Sequence, residues 1–307
     1  RKGIWISRKG EGQMLKNPGK VLRELLKQPG ILMAPGVYDG ISARITEQAG
    51  FKLGYLTGAG VAVSRIGEPD IGLTTMTDVV DLARALTIKA EIPYICDADT
   101  GYGNPLNVIR TVHELEAAGV ACIQLEDQVA PKRCGHLAGK SCVPAEEFVQ
   151  KIRAASREKF YEDTLIMART DARAVYSLEE AIERGKMYME AGADILFIEA
   201  PQTIDEVEKI GKIFGHQIPL LANQVIGGKT PRLTAKELEQ LAYKIVIFPD
   251  VLPFAASVLL RRILDKVMAE GCSWDAVPDA PDSRELFNTM GMAAWRETEQ
   301  LYKEGCR

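Results

Sequence analysis

Short apolar runs alternate with longer amphipathic stretches over most of this 307-residue chain. Each run is rich in aliphatic and β-branched residues, which is typical of a strand buried on both faces of a parallel sheet. The runs cover residues 31–35, 53–58, 93–99, 121–127, 165–171, 193–200, 219–224 and 244–250. This repetition predicts eight parallel strands.

Amphipathic stretches between the runs predict the helices. They cover residues 40–49, 77–90, 105–118, 145–158, 178–191, 204–214 and 235–242. Three of them end in Ala-Gly, a common helix stop. Eight strand-then-helix units predict an α/β fold, a closed (β/α)8 TIM barrel. The rival is an open doubly wound sheet, but the first strand is followed by PGVYDG rather than by a glycine-rich nucleotide loop.

The alternation stops after the eighth run. Residues 252–271 have the pattern of one long helix, Pro278 and Pro281 interrupt the chain, and residues 283–305 form a last helical region. The apolar side chains of this C-terminal region must pack against other residues, in this subunit or in another. We expect one domain over residues 1–307, with an N-terminal extension (1–28) and a helical tail (252–307).

Composition narrows the class of protein. Hydrophobic residues make up 46% and charged residues 26% of the chain, as in ordinary globular proteins, and the net charge of −4 does not favour nucleic-acid binding. No uncharged apolar run reaches the ~18 residues of a membrane span. Six cysteines without a CxxC pair indicate a reducing compartment. We expect a cytoplasmic protein, although organellar targeting stays open because the chain does not begin with Met.

Polar residues follow the predicted strands at the end of the barrel where active sites form. They are Thr57–Gly60 after strand two, Asp97 and Asp99 after strand three, Glu126 after strand four, Arg169 and Asp171 after strand five, Glu199 after strand six and Asn223 after strand seven. Carboxylates this close repel one another unless a cation or protons neutralise them. A single acid could be a helix cap or a surface ion pair, but the whole set favours a Mg²⁺ site.

Arg169 is a candidate clamp for a substrate carboxylate, because its planar guanidinium matches a carboxylate bidentately. It could equally be a counter-ion to Glu199 or Asp171, and the two roles are compatible. The glycines at Gly58 and Gly60 would let backbone N–H groups approach an anion.

A polar loop follows strand four and contains Lys132, Arg133, Cys134 and His136. Because positive charge lowers the pKa of a thiol, we expect Cys134 to be reactive. The loop could close over a bound anion and exclude water. The alternative is a mobile basic loop with an incidental cysteine.

Over residues 30–270 the sequence resembles the isocitrate lyase/phosphoenolpyruvate mutase superfamily. The motifs that carry the resemblance are Tyr55-Leu56-Thr57-Gly58, Asp70, DADTGYG at 97–103, KRCGH at 132–136, Arg169-Thr170-Asp171 and Glu199. DADTGYG and KRCGH together are highly specific. The resemblance implies an eighth helix exchanged between subunits of a homotetramer, a dimer of dimers.

The resemblance also implies a Mg-dependent carbon–carbon lyase that cleaves a small 2-hydroxy dicarboxylate. Mg²⁺, with Mn²⁺ as the alternative, would be bound at Asp97, Asp99 and Glu126. Cys134 would be the acid that protonates the departing enolate, with His136 and Arg169 as further catalytic residues. The expected substrate-binding residues are Tyr55, Thr57, Gly58, Ala59, Asp70, Gly135, Arg169, Glu199 and Asn223.

Three activities of the superfamily suit a chain of this length. Leu137-Ala138-Gly139-Lys140 is similar to the 2,3-dimethylmalate lyase and oxaloacetate hydrolase branch. The hydrolases tend to have a serine near the end of strand eight, where this chain has Pro253 and no serine before Ser257. We therefore expect cleavage of 2,3-dimethylmalate to pyruvate and propionate, followed by 2-methylisocitrate lyase and then oxaloacetate hydrolase as alternatives. A barrel without catalytic activity is disfavoured because Cys134 and the acids are intact.

Overall fold

The computed structural model describes residues 15–273, 275–278 and 280–303. The start of the predicted N-terminal extension (1–14) and the last residues of the predicted tail (304–307) lie outside the described residues. One compact unit ends at Pro253, and a second contains the chain from Phe254 onward.

Eight parallel strands form the first unit, as predicted. They are β1 (Leu32–Val37), β2 (Gly54–Leu56), β3 (Tyr94–Asp97), β4 (Cys122–Glu126), β5 (Leu165–Thr170), β6 (Ile195–Ile198), β7 (Leu221–Asn223) and β8 (Ile245–Phe248). Their order is β6-β5-β4-β3-β2-β1-β8-β7, and a parallel bridge between Leu196 and Leu220 joins the two outer strands. The sheet is therefore a nearly closed barrel, which confirms the predicted (β/α)8 class.

Apolar side chains fill both faces of the strands. One cluster lies inside the barrel and includes Ile95, Met167 and Ile245, while two others lie between the strands and the surrounding helices. Burial on both faces explains why the strands appear in the sequence as continuous apolar runs rather than as an alternating pattern.

The helices of this unit are α1 (Pro18–Lys27), α2 (Gly40–Gln48), α3 (Gly58–Val61), α4 (Met76–Thr87), α5 (Pro105–Ala117), α6 (Ala145–Glu158), α7 (Ala172–Val175), α8 (Leu178–Glu190), α9 (Ile204–Phe214) and α10 (Ala235–Gln240). Three predicted Ala-Gly stops are confirmed, because Gly50, Gly119 and Gly192 adopt positive φ after their helices. Helices α1, α3 and α7 were not predicted, and neither was the π-helical turn Ala62–Ile66 after α3.

Helix α1 covers the amino-terminal end of the barrel. Its Leu22 is fully buried in the same cluster as Ile95 and Met167. Arg23 donates to the Asp163 carbonyl oxygen and pairs with Asp194 at 2.9 Å. The segment predicted as an extension therefore includes a helix that closes the barrel at the end away from the predicted site.

The second unit contains the rest of α11 (Val251–Glu270), then α12 (Ser283–Thr289) and α13 (Met292–Lys303). The long helix predicted at 252–271 is confirmed. The last helical region is two helices instead of one, because Gly291 takes a φ of 92° between them. Leu264 and Met268 stay exposed. The single domain, the helix exchange and the tetramer stay predictions. No helix among the described residues has an apolar stretch able to cross a bilayer.

Candidate active site

Arg169 lies at the centre of the carboxyl ends of the strands, as predicted. Its guanidinium contacts Glu126 at 3.1 Å, Asp171 at 3.0 Å and Glu199 at 3.5 Å. All four side chains are buried. Arg169 is therefore an internal counter-ion, which was the alternative interpretation. If Arg169 also binds a substrate carboxylate, its positive charge would be shared between that carboxylate and these three side chains.

Buried carboxylates outnumber the cations that face them. Asp97, Asp99, Glu126, Asp171 and Glu199 lie at successive strand ends with Arg169, Lys132 and Lys140 as the buried cations. Burial raises the pKa of Asp99 to about 6, although the Lys132 ammonium opposes this shift. Burial also raises the pKa of Glu126. Ionising these carboxyl groups therefore costs free energy, which a further cation could offset.

Asp97, Asp99 and Glu126 supply buried carboxylate oxygens, the donor type that Mg²⁺ prefers. Asp97 Oδ1 accepts from Gln124 and from the Asp99 N–H, and Glu126 Oε1 is buried without a hydrogen-bond partner among the described residues. In the same part of the chain, no three His, Cys, Asp or Glu side chains surround a common point as metal ligands. Water or substrate would complete the coordination, which is the way Mg²⁺ is usually held.

The end of β2 lies directly over Asp97. A Cβ atom on Gly58 would lie 2.8 Å from Asp97 Oδ2, so only glycine allows this approach. Thr57 caps α3 by accepting from the Gly60 N–H. Ala59 follows in the same turn. These are the predicted substrate-binding residues, and their backbone lies next to a predicted metal ligand.

Tyr55 was predicted to bind substrate, but its hydroxyl donates to Gln124 at 3.1 Å. Gln124 in turn donates to Asp97 at 3.0 Å. Tyr55 and Gln124 are both buried, so the structure places Tyr55 behind Asp97. Gln124 was missed, although a polar residue inside an apolar strand run was a signal for it.

Residues 128–142, here called loop four, cover the carboxylates. An antiparallel bridge between Gln128 and Cys142 closes the base of this loop. Lys132 contacts Asp70 at 2.5 Å and Asp99 at 2.8 Å, and the Cys134 N–H donates to the Asp70 carbonyl oxygen. Asp70, predicted from its motif, therefore joins the predicted site through loop four.

The expectation of a lowered thiol pKa at Cys134 is wrong. Burial raises the pKa of the Cys134 thiol. Lys132 is engaged by two carboxylates, and Arg133 is exposed and donates to the Ala138 carbonyl oxygen at 3.2 Å. The positive charges of Lys132 and Arg133 therefore do not stabilise a Cys134 thiolate. The thiol keeps its proton at neutral pH, which suits an acid better than a nucleophile.

His136 is part of loop four and faces Glu199 at the end of β6. Its Nδ1 accepts from the Lys229 N–H at 3.2 Å, so the proton is assigned to Nε2, which lies 3.4 Å from Glu199 Oε1 without an aligned hydrogen bond. Burial lowers the pKa of His136. Asn223 donates to the same Glu199 carboxylate at 3.1 Å. The predicted His136, Glu199 and Asn223 are thus brought together.

Gly135 contacts the centre of the site. A Cβ atom there would lie 2.5 Å from an Arg169 nitrogen and 2.8 Å from Glu199. The predicted binding residue Gly135 therefore brings the backbone of loop four onto the charged cluster.

Asp127 was missed because the sequence shows only that it follows Glu126. The two acids point to opposite faces of the chain. Asp127 accepts from Thr170, Arg184 and Tyr188 through Oδ2 and from the Asp171 N–H through Oδ1. Asp127 therefore holds the backbone of Asp171 in place.

Comparisons with known proteins identify the family of this chain. Residues 22–268 match the phosphoenolpyruvate phosphomutase family. The chain is 43% identical to the 2,3-dimethylmalate lyase of Eubacterium barkeri over 94% of this chain and 99% of that protein. It is also 43% identical to the 2-methylisocitrate lyase of Aeropyrum pernix, over 90% of this chain and 88% of the relative.

Solved structures give the same picture. A crystal structure of 2,3-dimethylmalate lyase superposes with a TM-score of 0.88 at 35% identity, covering 95% and 96% of the two chains. An oxaloacetate acetylhydrolase with 3,3-difluorooxalacetate gives 0.87 at 35% identity over 92% and 96%. A phosphonopyruvate hydrolase with oxalate and Mg²⁺ gives 0.84 at 29% identity over 93% and 99%.

Proposed function

The chain belongs to the phosphoenolpyruvate mutase/isocitrate lyase superfamily, and on that premise we propose that it is a carbon–carbon lyase that cleaves 2,3-dimethylmalate to pyruvate and propionate. The observation that carries the proposal is the half-buried Cys134 thiol, in a loop that contacts an Arg169-centred carboxylate cluster. A lyase of this kind needs an acid for the departing fragment and an anion site for the other half.

The substrate's 2-hydroxy acid half would bind at Arg169 and at the backbone of Gly58 and Ala59. Asp97, Asp99 and Glu126 would hold Mg²⁺, which when bound supplies Lewis-acid stabilisation of the substrate oxygens. The related phosphonopyruvate hydrolase structure contains Mg²⁺, which supports Mg²⁺ as the ion. Mn²⁺ is the alternative ion.

Cleavage would break the C2–C3 bond as the 2-hydroxyl gives its proton to a carboxylate of the site, which later releases it to solvent. The C2 fragment becomes the 2-oxo acid, and the bond's electron pair remains on the other fragment as the enolate of a carboxylate. The Cys134 thiol would give its proton to that carbon, and solvent would later return one to the sulfur. Because loop four covers the carboxylate cluster, the enolate would be kept from bulk water before this transfer.

The charges of the site favour a dicarboxylate over a tricarboxylate. Within the described residues, the cluster's buried cations Arg169, Lys132 and Lys140 are each already paired with carboxylates. 2-Methylisocitrate has one carboxylate more than 2,3-dimethylmalate, so its binding would add charge without a free buried cation to pair it. 2-Methylisocitrate lyase and oxaloacetate hydrolase are the second and third candidates, supported by the relatives with those activities.

The test is turnover of three substrates with Mg²⁺ present. A pyruvate-specific coupled assay follows 2,3-dimethylmalate and 2-methylisocitrate, and acid release follows oxaloacetate. We expect the highest kcat/KM with 2,3-dimethylmalate. Faster hydrolysis of oxaloacetate would assign the chain to the hydrolase branch, and absence of turnover with all three would reject the substrate class.

We propose a homotetramer, a dimer of dimers, in which α11 is exchanged between subunits and its apolar side chains become covered. Light scattering on a sizing column would measure the mass, and a 33.7 kDa particle would contradict the proposal.

A further inference from the structure

Lys140 closes loop four onto the barrel. Its side chain is 2% exposed, and its ammonium lies 2.5 Å from Asp171 Oδ1. The same ammonium donates to the carbonyl oxygen of Gly135. One buried cation thus joins both halves of the loop's tip to the end of β5.

Gly135 is the part of the loop that Lys140 fixes. A Cβ atom at Gly135 would collide with the Arg169 and Glu199 side chains, so the Gly135 backbone packs directly against them. Cys134 precedes it directly, and the Leu137 N–H donates to the Cys134 carbonyl oxygen at 2.9 Å. The position of Gly135 therefore sets the position of the thiol.

Asp171, the other end of the contact, is held rigidly. It accepts from Arg169 through both oxygens, and its N–H donates to Asp127 at 3.0 Å. Although burial alone would raise it, the charges of Arg169 and Lys140 hold the pKa of Asp171 below its ordinary value. Asp171 is an ionised, fixed acceptor shared by the predicted substrate clamp and the loop.

We propose that Lys140 is a positioning residue that latches loop four to Asp171 and thereby places the Cys134 thiol against the substrate. The proposal rests on the proposed function for the role of the thiol, but the latch itself is a property of the protein without substrate. Removing the ammonium leaves the loop four contacts at Asp70 and Lys229 in place, so the loop would open more often rather than unfold.

Two variants with matched chemistry test the latch. Lys140→Met removes the ammonium and keeps the length of the side chain. Lys159→Met is the control, because Lys159 also donates to a carbonyl oxygen, that of Thr164, and lies 4.0 Å from a carboxylate, Asp194, at the opposite end of the barrel. Iodoacetamide labelling of Cys134 without substrate, read by peptide mass spectrometry, measures opening of the loop.

We expect Lys140→Met to label about tenfold faster than the wild type, and Lys159→Met to label at the wild-type rate. For the proposed reaction, kcat should fall about 100-fold in Lys140→Met with KM for substrate changed by less than about threefold, because the acid is misplaced while the anion site remains. Labelling within twofold of wild type in Lys140→Met overturns the latch.

If Lys140→Met does not fold, Lys140→Gln replaces it, because the amide still donates to the Gly135 carbonyl oxygen. Faster labelling of Cys134 in this variant supports the latch, and an unchanged rate rejects it. Wild-type protein that turns over none of the three substrates rejects the proposed function alone, since the labelling experiment contains no substrate.

Discussion

The two ends of the barrel differ in how their charged side chains are paired and buried. At the amino-terminal end, Arg23 and Asp194 pair at 2.9 Å while remaining 30% and 21% exposed, and Asp194 also accepts from the Ile166 N–H. At the carboxyl end, Arg169 is shared by three buried carboxylates.

The difference separates stability from function. Paired and partly hydrated charges add modestly to stability, whereas excess buried carboxylates cost free energy that a ligand can recover. The raised pKa values of Asp99 and Glu126 are the sign of that cost. Changes at the carboxyl end should therefore affect turnover first, and changes at the amino-terminal end should affect folding alone.

The largest expected effect comes from Cys134→Ser. A serine hydroxyl is too weak an acid for the enolate, so kcat should fall about 10³-fold with an unchanged melting temperature. Steady-state kinetics and thermal unfolding measure the two quantities, with Cys272→Ser as the matched control. Retention of more than a tenth of kcat would remove Cys134 from the mechanism.

Gln124→Leu should have the next largest effect. It removes the hydrogen bonds that hold Asp97 Oδ1 and the Tyr55 hydroxyl, so the concentration of Mg²⁺ for half-maximal activity should rise about 10- to 100-fold. A Mg²⁺ titration of activity measures this. Tyr55→Phe, which leaves the Gln124–Asp97 bond intact, should shift the titration less, and the reverse ranking would contradict the role of Gln124.

At the opposite end, Asp194→Ala should lower the free energy of unfolding by about 2 kcal/mol, because the Arg23 guanidinium and the Ile166 N–H lose their acceptor. Denaturant unfolding measures the loss. The kcat/KM should stay within a factor of two of the wild type, and a larger change would erase the contrast between the two ends.

The smallest expected effect is in the pH dependence. Because the pKa of Cys134 is raised, the protonated thiol persists at pH values where an ordinary thiol of pKa about 8.5 is half ionised. The acid is lost only as pH rises through the raised pKa. Iodoacetamide labelling of Cys134 should still be rising above about pH 10. A plateau reached by about pH 10 would show an unshifted thiol, and a plateau below about pH 8.5 would show a lowered pKa.

The barrel could be predicted from the sequence because strands that are buried on both faces appear as continuous apolar runs. Helices α3 and α7 could not, since four residues carry no period, and α1 falls in a segment that the strand-helix alternation does not include. The division of residues 283–303 into two helices depends on the conformation of one residue, Gly291.

The predicted site residues stand at strand ends, where alternation along the chain indicates a common edge. Their electrostatics could not be predicted, because Lys132 is adjacent to Cys134 in sequence but is paired with Asp70 and Asp99 in space. The Lys140–Asp171 contact spans 31 positions and leaves no local pattern.

The ring of strands is not joined equally all the way round. Neighbouring strands elsewhere share a ladder of paired residues, whereas β6 and β7 meet at the bridge between Leu196 and Leu220. For an engineer, the β6–β7 connection is therefore the place to cut the chain, because strands held by a single bridge depend least on it and the other strand ladders stay unbroken.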